Sequence, residues 1–232
     1  MGKIDELKKL ESEIASVSLP LRESNLVFGE GNPDCEVMFV GEAPGFHEDR
    51  LKRPFVGRGG QLLDKLIGEI GWKREDVYIT NIVKRRPPEN RDPLPEEIEA
   101  YKPYLTRQIE IINPKAIVCL GRFSMNYFLP DAKISRDHGR VFKVHPVRSR
   151  EGSQRVSASN GVDDLIVFPV YHPAAALRST EMMNTLREDF KKIPKVVSGE
   201  FGTTESLSPA RLDKEMVRLR SPRKRPPQTG LF

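Results

Sequence analysis

Four side chains suited to chemistry stand beside short apolar segments of the chain: Glu42, Phe55, Asn81 and His172. The carboxylate of Glu42 can position or polarise a water molecule. The carboxamide of Asn81 can donate and accept hydrogen bonds at once, and the imidazole of His172 can donate to a developing negative charge. The ring of Phe55 can stack on a planar group, although most Phe residues are simply buried. These residues form one site only if the fold brings them together.

The hydrophobic pattern alternates between strands and helices. Short apolar runs predict buried strands at 37–40, 77–80, 116–120, 140–144 and 165–170. Apolar residues at helical spacing predict helices at 3–17, 59–70, 94–112, 121–128 and 181–192. We therefore expect an α/β fold of three αβα layers with a central, mostly parallel sheet. Ligands of such sheets bind beyond the carboxyl ends of the strands, where Gly41–Gly45, Asn81, Gly121 and His172 stand.

Composition favours one catalytic domain followed by a basic tail. Lys and Arg total 38 against 33 Asp and Glu, and the resulting charge of +5 permits an acidic polymer as partner. We predict a domain over residues 1–197 and a basic, flexible tail over residues 198–232, because the apolar pattern fades after Val197. The polar residues 145–164 predict a long loop to which we assign no chemistry.

The two cysteines and the apolar segments limit the class of protein. Cys35 and Cys119 do not form a Cys-x-x-Cys pair, and Cys119 lies in the apolar run AIVCL, which favours a buried thiol. No apolar segment reaches the length of a membrane span, and the first residues lack a signal-peptide pattern. We expect a soluble, intracellular monomer.

Three segments carry a resemblance to a known family: GEAPGFHED with PFVGRGGQLLD, then VYITNIVKRRPPENRDP, then YHPAAAL. In this order they closely resemble the family 4 uracil-DNA glycosylases of archaea and bacteria, over roughly residues 12–193. The resemblance implies the uracil-DNA glycosylase-like fold and a monofunctional enzyme of base excision repair. Such an enzyme hydrolyses the N-glycosidic bond of deoxyuridine in DNA and releases uracil in the prokaryotic cytoplasm, at the nucleoid. The alternatives are a glycosylase for hypoxanthine or xanthine and a non-catalytic DNA-binding descendant.

The resemblance also implies which residues hold the base. It places His172 on the uracil oxygen nearest the sugar, Asn81 on the uracil edge and Phe55 against the base as a stacking partner. Gly41 and Glu48 complete the expected uracil-binding set. A carboxamide suits the carbonyl and imino groups of uracil and mispairs with the amino group of cytosine.

Glu42 is expected to position the attacking water. Better-known members of the wider superfamily carry an Asp where Ala43 stands, so Glu42 is the nearest carboxylate, with Glu48 and Asp49 as rivals. A helix-capping or salt-bridged role for Glu42 is the structural alternative.

Two segments are expected to bind DNA. In HPAAAL, the small residues Ala174–Ala176 would let the backbone approach the minor groove, and Leu177 or Arg178 would fill the space left by the flipped nucleotide. Lys84, Arg85, Arg86 and Arg91 would contact phosphates. The alternatives are an ordinary helix packed through Ala and a solvated basic loop.

The chain departs from its family at the ligands of a four-iron four-sulfur cluster. The resemblance matches the four cluster cysteines to Ser16, Leu19, Arg85 and Tyr101, none of which is a thiol. Leu cannot ligate iron and Arg stays protonated, so we expect neither cluster nor other metal. Leu19 and Tyr101 are expected to fill the space by packing, with Arg85 paired to a carboxylate or turned towards DNA.

Residues 228–232, QTGLF, partly match the Gln-x-x-aliphatic-x-x-aromatic peptide by which repair enzymes bind the sliding clamp. Gln228 would enter a polar pocket, while Leu231 and Phe232 would fill an apolar groove. The alternative is a disordered basic tail that adds only nonspecific DNA affinity.

Overall fold

A seven-stranded sheet forms the centre of the protein in a computed structural model that describes residues 2–144, 165–200 and 205–207. The strands are β1 (Glu30–Gly31), β2 (Val37–Gly41), β3 (Tyr78–Asn81), β4 (Ala116–Leu120), β5 (Phe142–Val144), β6 (Leu165–Val170) and β7 (Glu205–Leu207). Their order across the sheet is β1-β3-β2-β4-β6-β5-β7.

The four central strands are parallel, which confirms the predicted mostly parallel sheet. Strand β2 pairs with β3 and β4, and β4 pairs with β6, all in parallel. Strands β1 and β5 run antiparallel to β3 and β6, while β7 runs parallel to β5. The five strands predicted from apolar runs are confirmed with ends shifted by up to two residues. Strands β1 and β7 are too short to leave an apolar pattern.

Helices cover both faces of this sheet. They are α1 (Lys3–Ser16), α2 (Phe46–Leu51), α3 (Arg58–Glu69), α4 (Pro95–Ile112), α5 (Arg122–Phe128), α6 (Ile134–Asp137), α7 (Pro173–Ala176) and α8 (Thr180–Ser198). The short helices α2, α6 and α7 were not predicted, because one or two turns show no hydrophobic period. Helix α8 continues past the predicted end at residue 192, because Ile193 and Val196 are still buried.

Alternate residues of the strands contribute to two hydrophobic cores. Met38 and Val40 of β2 lie in one core with the apolar sides of α1 and α4. Val37 and Phe39 lie in the other core with α3 and α8. Because successive side chains of a strand point to opposite faces, these two cores confirm the three-layer αβα architecture.

The end of α8 lies one residue beyond the predicted domain boundary at 197. Strand β7 then pairs with β5, so these three residues of the predicted tail belong to the sheet. The polar loop predicted at 145–164 and the other tail residues beyond 200 lie outside the described residues. None of the helices in the described ranges is long and apolar enough to cross a membrane.

Candidate active site

A cleft of about 960 Å³ opens at the carboxyl ends of the parallel strands. Its lining includes Glu42 after β2, Asn81 at the end of β3, Gly121 after β4 and His172 after β6. The segment between α2 and α3 adds Phe55 to the lining. The fold therefore brings the four predicted side chains together, as expected for ligand sites of parallel sheets.

Asn81 offers an unused hydrogen-bond acceptor. Its side chain is 1% exposed, and its Oδ1 has no partner among the described residues. A buried polar atom without a partner costs free energy unless a ligand satisfies it. Gly41 pairs beside Asn81 in the sheet, where an added Cβ would lie 2.5 Å from Phe55 Cζ and closer still to Asn81 Oδ1. Gly41 does not line the cleft, so it supports the predicted base site from behind by leaving room for the side chains of Phe55 and Asn81.

His172 is held as a neutral hydrogen-bond donor. Its Nδ1 accepts the backbone N–H of Ala174 at 3.1 Å at the start of α7, so the proton of the neutral ring lies on Nε2. Burial lowers the pKa of His172 to about 4, although Glu48 raises it. Gly121 packs behind the ring at a φ of 93°, where an added Cβ would lie 2.9 Å from His172 Cβ. The ring is therefore oriented from two sides.

Phe55 lies in a strained turn that Glu48 holds. The residue is 7% exposed, has a φ of 50° and places its ring centroid 5.8 Å from that of His172. Glu48 Oε1 accepts the N–H groups of Val56 at 2.9 Å and Gly57 at 2.7 Å. Glu48 lines the cleft, as expected for the base site, but these bonds make it a support for the turn that carries Phe55.

Glu42 is the carboxylate best placed to act as a base. Burial and the charge of Asp92 raise its pKa, and the charge of Arg122 lowers it, to a net value of about 7. The rival Glu48 is engaged by the Phe55 turn, and the rival Asp49 accepts the backbone N–H of Asn25 at 2.7 Å. A group with a pKa near neutrality can take a proton from water and return it.

The family comparison agrees with this geometry. The family model described as the Uracil DNA glycosylase superfamily matches residues 28–194. The chain belongs to this superfamily. A type-4 uracil-DNA glycosylase of Sulfurisphaera tokodaii is 47% identical over 82% of this chain and 84% of the relative. A type-4 uracil-DNA glycosylase of Archaeoglobus fulgidus is 41% identical over 83% of this chain and 92% of the relative. A type-4 uracil-DNA glycosylase of Thermotoga maritima is 41% identical over 84% of this chain and 97% of the relative.

The complete burial of Lys84 contradicts the prediction that it contacts DNA phosphates. Its side chain is fully buried, and its Nζ donates to Thr80 Oγ1 at 2.6 Å, Asn81 O at 2.8 Å and Gln108 Oε1 at 2.6 Å. Burial lowers the pKa of the Lys84 ammonium well below its ordinary value. Lys84 therefore belongs to a polar network behind Asn81.

The other predicted DNA-binding residues lie at or beside the cleft. Ala174 and Arg178 line it, and Leu177 at the end of α7 is 38% exposed. Arg86 donates from Nε to Asn90 Oδ1 at 2.7 Å, and Asn90 lines the cleft. Arg91 lines it too but pairs with Glu97 at 2.6 Å. The positions of α7 and Arg86 therefore agree with the prediction that this rim of the cleft faces DNA.

The residues at the positions of the cluster ligands do not fit an iron-sulfur cluster. Tyr101 is fully buried and donates to Pro20 O at 2.7 Å, and Leu19 packs against the same core. Arg85 is 8% exposed, donates to Ser24 O and forms a side-chain hydrogen bond with the Tyr101 hydroxyl. It pairs with no carboxylate among the described residues, and its burial contradicts the alternative that it is turned towards DNA. Ser16 is exposed at the end of α1. Iron would need thiolates, which these residues do not supply.

The two cysteines lie elsewhere and are protonated. Burial raises the pKa of Cys35 to about 11 and that of Cys119 to about 12. Across the described part of the chain, no group of three or more His, Cys, Asp or Glu is placed to hold a metal ion.

Sequence reasoning missed several supports of the site. Gly121 was noted only as a strand end, although it packs against His172. Arg122 and Asp92, which pair at 2.8 Å and act on Glu42, come from segments 30 residues apart. Phe46, 51% exposed at the cleft, stands in GEAPGFHED, but nothing in that motif shows that its ring is exposed.

Proposed function

We propose that this chain is a monofunctional uracil-DNA glycosylase, which hydrolyses the bond between uracil and deoxyribose in DNA. The observation that carries the proposal is the buried Asn81 Oδ1, which has no partner in the described part of the chain and lies in the same cleft as a neutral His172 with its proton on Nε2. An extruded uracil presents an N3–H that Oδ1 can accept and an O2 that Nε2–H can bind. Family membership and the type-4 relatives support the same reaction.

Selection against cytosine follows from the acceptor on Asn81. Cytosine carries a lone pair on N3 and an amino group at C4, so it offers no N3–H to Oδ1 and would leave that buried oxygen unsatisfied. Phe55 supplies an aromatic face that offsets the stacking lost when a base leaves the duplex.

The reaction needs stabilisation of negative charge on uracil and a nucleophilic water. As the C1′–N1 bond breaks, electron density moves to the uracil O2, where the neutral His172 donates from Nε2. Glu42 positions a water and takes its proton as the oxygen bonds to C1′. Uracil leaves with the electron pair of the broken bond, and the DNA keeps an abasic site with both strands intact.

Release of uracil from an oligonucleotide with one deoxyuridine tests the proposal. Under single-turnover conditions, His172→Ala is expected to raise the barrier by about 2 to 4 kcal/mol, as for other donors to a developing anion. His47→Ala is the matched control, because His47 is an exposed histidine of the same cleft that lies beside Phe46; with enzyme in saturating excess it is expected to keep the wild-type rate of release. A wild-type rate in His172→Ala contradicts the assignment. Binding without release by the wild type supports the non-catalytic alternative. Release of hypoxanthine from a matched oligonucleotide with one deoxyinosine, with no release of uracil from the deoxyuridine substrate, supports the alternative substrate.

We also propose that the protein functions without an iron-sulfur cluster. The buried Tyr101 and Arg85, bonded to Pro20 and Ser24, support this proposal. Protein purified without oxygen is expected to be colourless and active, because the reaction transfers no electrons. Stoichiometric iron in elemental analysis of that protein contradicts the proposal.

Two partners are proposed: DNA containing uracil, and a sliding clamp that binds Gln228, Leu231 and Phe232. The clamp peptide lies outside the described residues, and its sequence pattern is the support. Deletion of residues 226–232 is expected to abolish clamp binding at moderate salt and to leave cleavage of short oligonucleotides unchanged. Undiminished clamp binding after the deletion contradicts the docking role. A repair enzyme of this kind would act as a monomer in the cytoplasm, at the nucleoid.

A further inference from the structure

Phe46 is a large aromatic residue exposed at the mouth of the cleft. It begins helix α2, is 51% exposed and lines the same cleft as Asn81 and His172. An exposed ring has apolar area that a ligand can cover, and this ring lies next to the proposed base site.

Arg86 holds a second flat group over this ring. Its guanidinium lies 5.2 Å from the centroid of Phe46, and its Nε donates to Asn90 Oδ1 at 2.7 Å. The ring of His47 meets Phe46 edge-on at 5.5 Å. The ring and the guanidinium therefore form an ordered pair, which we name the Phe46–Arg86 platform.

The charges around the platform match a nucleic acid. Arg58 and Arg178 line the same cleft, and neither forms an ion pair with another described residue. Aromatic rings beside arginines are the usual stacking surface for unpaired bases, because every base has a flat face. We propose that the Phe46–Arg86 platform stacks the base of a nucleotide next to the extruded one. This inference rests on the proposed function.

Binding to single-stranded DNA with an abasic-site analogue tests the platform without requiring catalysis. Phe46→Ala is expected to weaken binding about 5- to 100-fold, the range for loss of one base–aromatic stack. Leu51→Ala is the matched control, because Leu51 is 57% exposed on the same helix but does not line the cleft. Phe46→Trp is expected to retain wild-type binding.

A fluorescent 2-aminopurine next to the analogue gives a second readout, because stacking quenches it. Quenching by the wild type and Leu51→Ala, but not by Phe46→Ala, supports the platform. Equal binding and quenching by wild type and Phe46→Ala overturn it, as does an equal loss in Leu51→Ala. If the wild type fails to release uracil, the proposed function fails, while the binding and quenching results still decide on the platform.

A separate observation concerns Arg74, which contacts the turn that carries Phe55. Its Nη2 donates to Pro54 O at 2.5 Å and its Nη1 to Phe55 O at 3.3 Å. The same guanidinium binds Glu30 through Nε at 2.9 Å and Asp64 through Nη1 at 2.6 Å. The two acidic residues therefore orient Arg74 towards the turn.

Glu48 and Arg74 hold opposite kinds of group in this turn. Glu48 accepts the N–H groups of Val56 and Gly57, while Arg74 donates to the C=O groups of Pro54 and Phe55. A non-glycine residue at a φ of 50° persists only where its surroundings enforce it. The geometry points to Arg74 as a positioning residue that keeps the Phe55 ring against the base.

A double-mutant cycle tests whether Arg74 acts through Phe55. Arg74→Met is expected to lower the single-turnover rate about 10- to 100-fold, as a displaced positioning group does, and to have little effect in a Phe55→Ala background. Arg53→Met is the matched control, because the exposed side chain of Arg53 binds the same Glu30 at 2.7 Å but, among the described residues, forms no hydrogen bond to the turn. Additive losses in the double mutant, or an equal rate loss in Arg53→Met, overturn the role. Thermal unfolding of each variant shows that the comparison is made on folded protein.

Discussion

The rate of uracil release is expected to rise with pH through about 7, because Glu42 must lose its proton before it can accept one from water. Burial and Asp92 raise the pKa of Glu42, and Arg122 lowers it, to a net value of about 7. His172, with a pKa of about 4, stays neutral across this range and does not reverse the direction. The sign follows from the base being the ionised form.

The size of the effect follows from that value. With a pKa of about 7, about a tenth of Glu42 is ionised at pH 6, about half at pH 7 and about nine tenths at pH 8. The rate should therefore rise about fivefold from pH 6 to pH 7 and about twofold from pH 7 to pH 8. Asp92→Asn should move the midpoint to lower pH, and Arg122→Met should move it to higher pH. Both side chains are 63% exposed, so added salt should reduce the two shifts.

Single-turnover release from an oligonucleotide with one deoxyuridine, measured across this pH range with enzyme in excess, isolates the chemical step. Glu42→Gln should release uracil slowly, and its rate should no longer rise with pH. A wild-type rate that is flat through pH 7 would refute the assignment of Glu42 as the base. Midpoints that move in the same direction in Asp92→Asn and Arg122→Met would refute the electrostatic explanation.

Three further outcomes are expected. Gly121→Ala should lower the rate of uracil release about tenfold or more, because the added Cβ meets His172 and a φ of 93° is strained for any residue other than glycine. A wild-type rate in the folded variant contradicts the packing argument. Lys84→Met should lower the free energy of unfolding, measured in urea, by about 1 to 3 kcal/mol, because Asn81 O and Gln108 Oε1 lose their donor. The dependence of DNA affinity on salt concentration should stay unchanged, and a weaker dependence would show that Lys84 does contact phosphate. His172 should destabilise the fold as pH drops from about 6.5 towards 4, since it gains a proton more readily when unfolded, whereas Glu42, with its pKa raised to about 7, acts in the opposite direction as pH drops from about 7. His172→Gln should therefore make the free energy of unfolding at about pH 5, relative to that at pH 7, larger than in the wild type, as pH-dependent thermal unfolding can show.

Much of the fold and part of the site could be predicted from residue order. The apolar runs VMFV, VYIT and AIVCL, and the end of LIVFPV, are buried on both faces of a parallel sheet, and such strands leave a continuous apolar pattern that the sequence shows. Parallel strands end at one edge, so Glu42, Asn81 and His172 were expected to meet there, and they do. The family resemblance depends on the same segments, and the superfamily match confirms it.

The directions of individual side chains could not be predicted in the same way. Lys84, Arg85 and Arg86 are consecutive basic residues, yet the first two are buried and only Arg86 reaches the rim of the cleft. The sequence shows only that these residues are basic. Burial of Lys84 and Arg85 is tolerable because α4 packs behind β3 and provides Gln108 as a partner of Lys84 and Tyr101 as a partner of Arg85.

The sequence by itself determined the elements, the edge of the sheet where the site lies and the chemical types available there, because these depend on local pattern and chain direction. The tertiary structure alone decided which groups are ionised and which are held in place. Arg74 reaches the Phe55 turn from 20 residues away, and Asp92 and Arg122 act on Glu42 from separate segments. A pKa and a strained φ depend on the groups that surround a residue in space, and no local pattern along the chain records those neighbours.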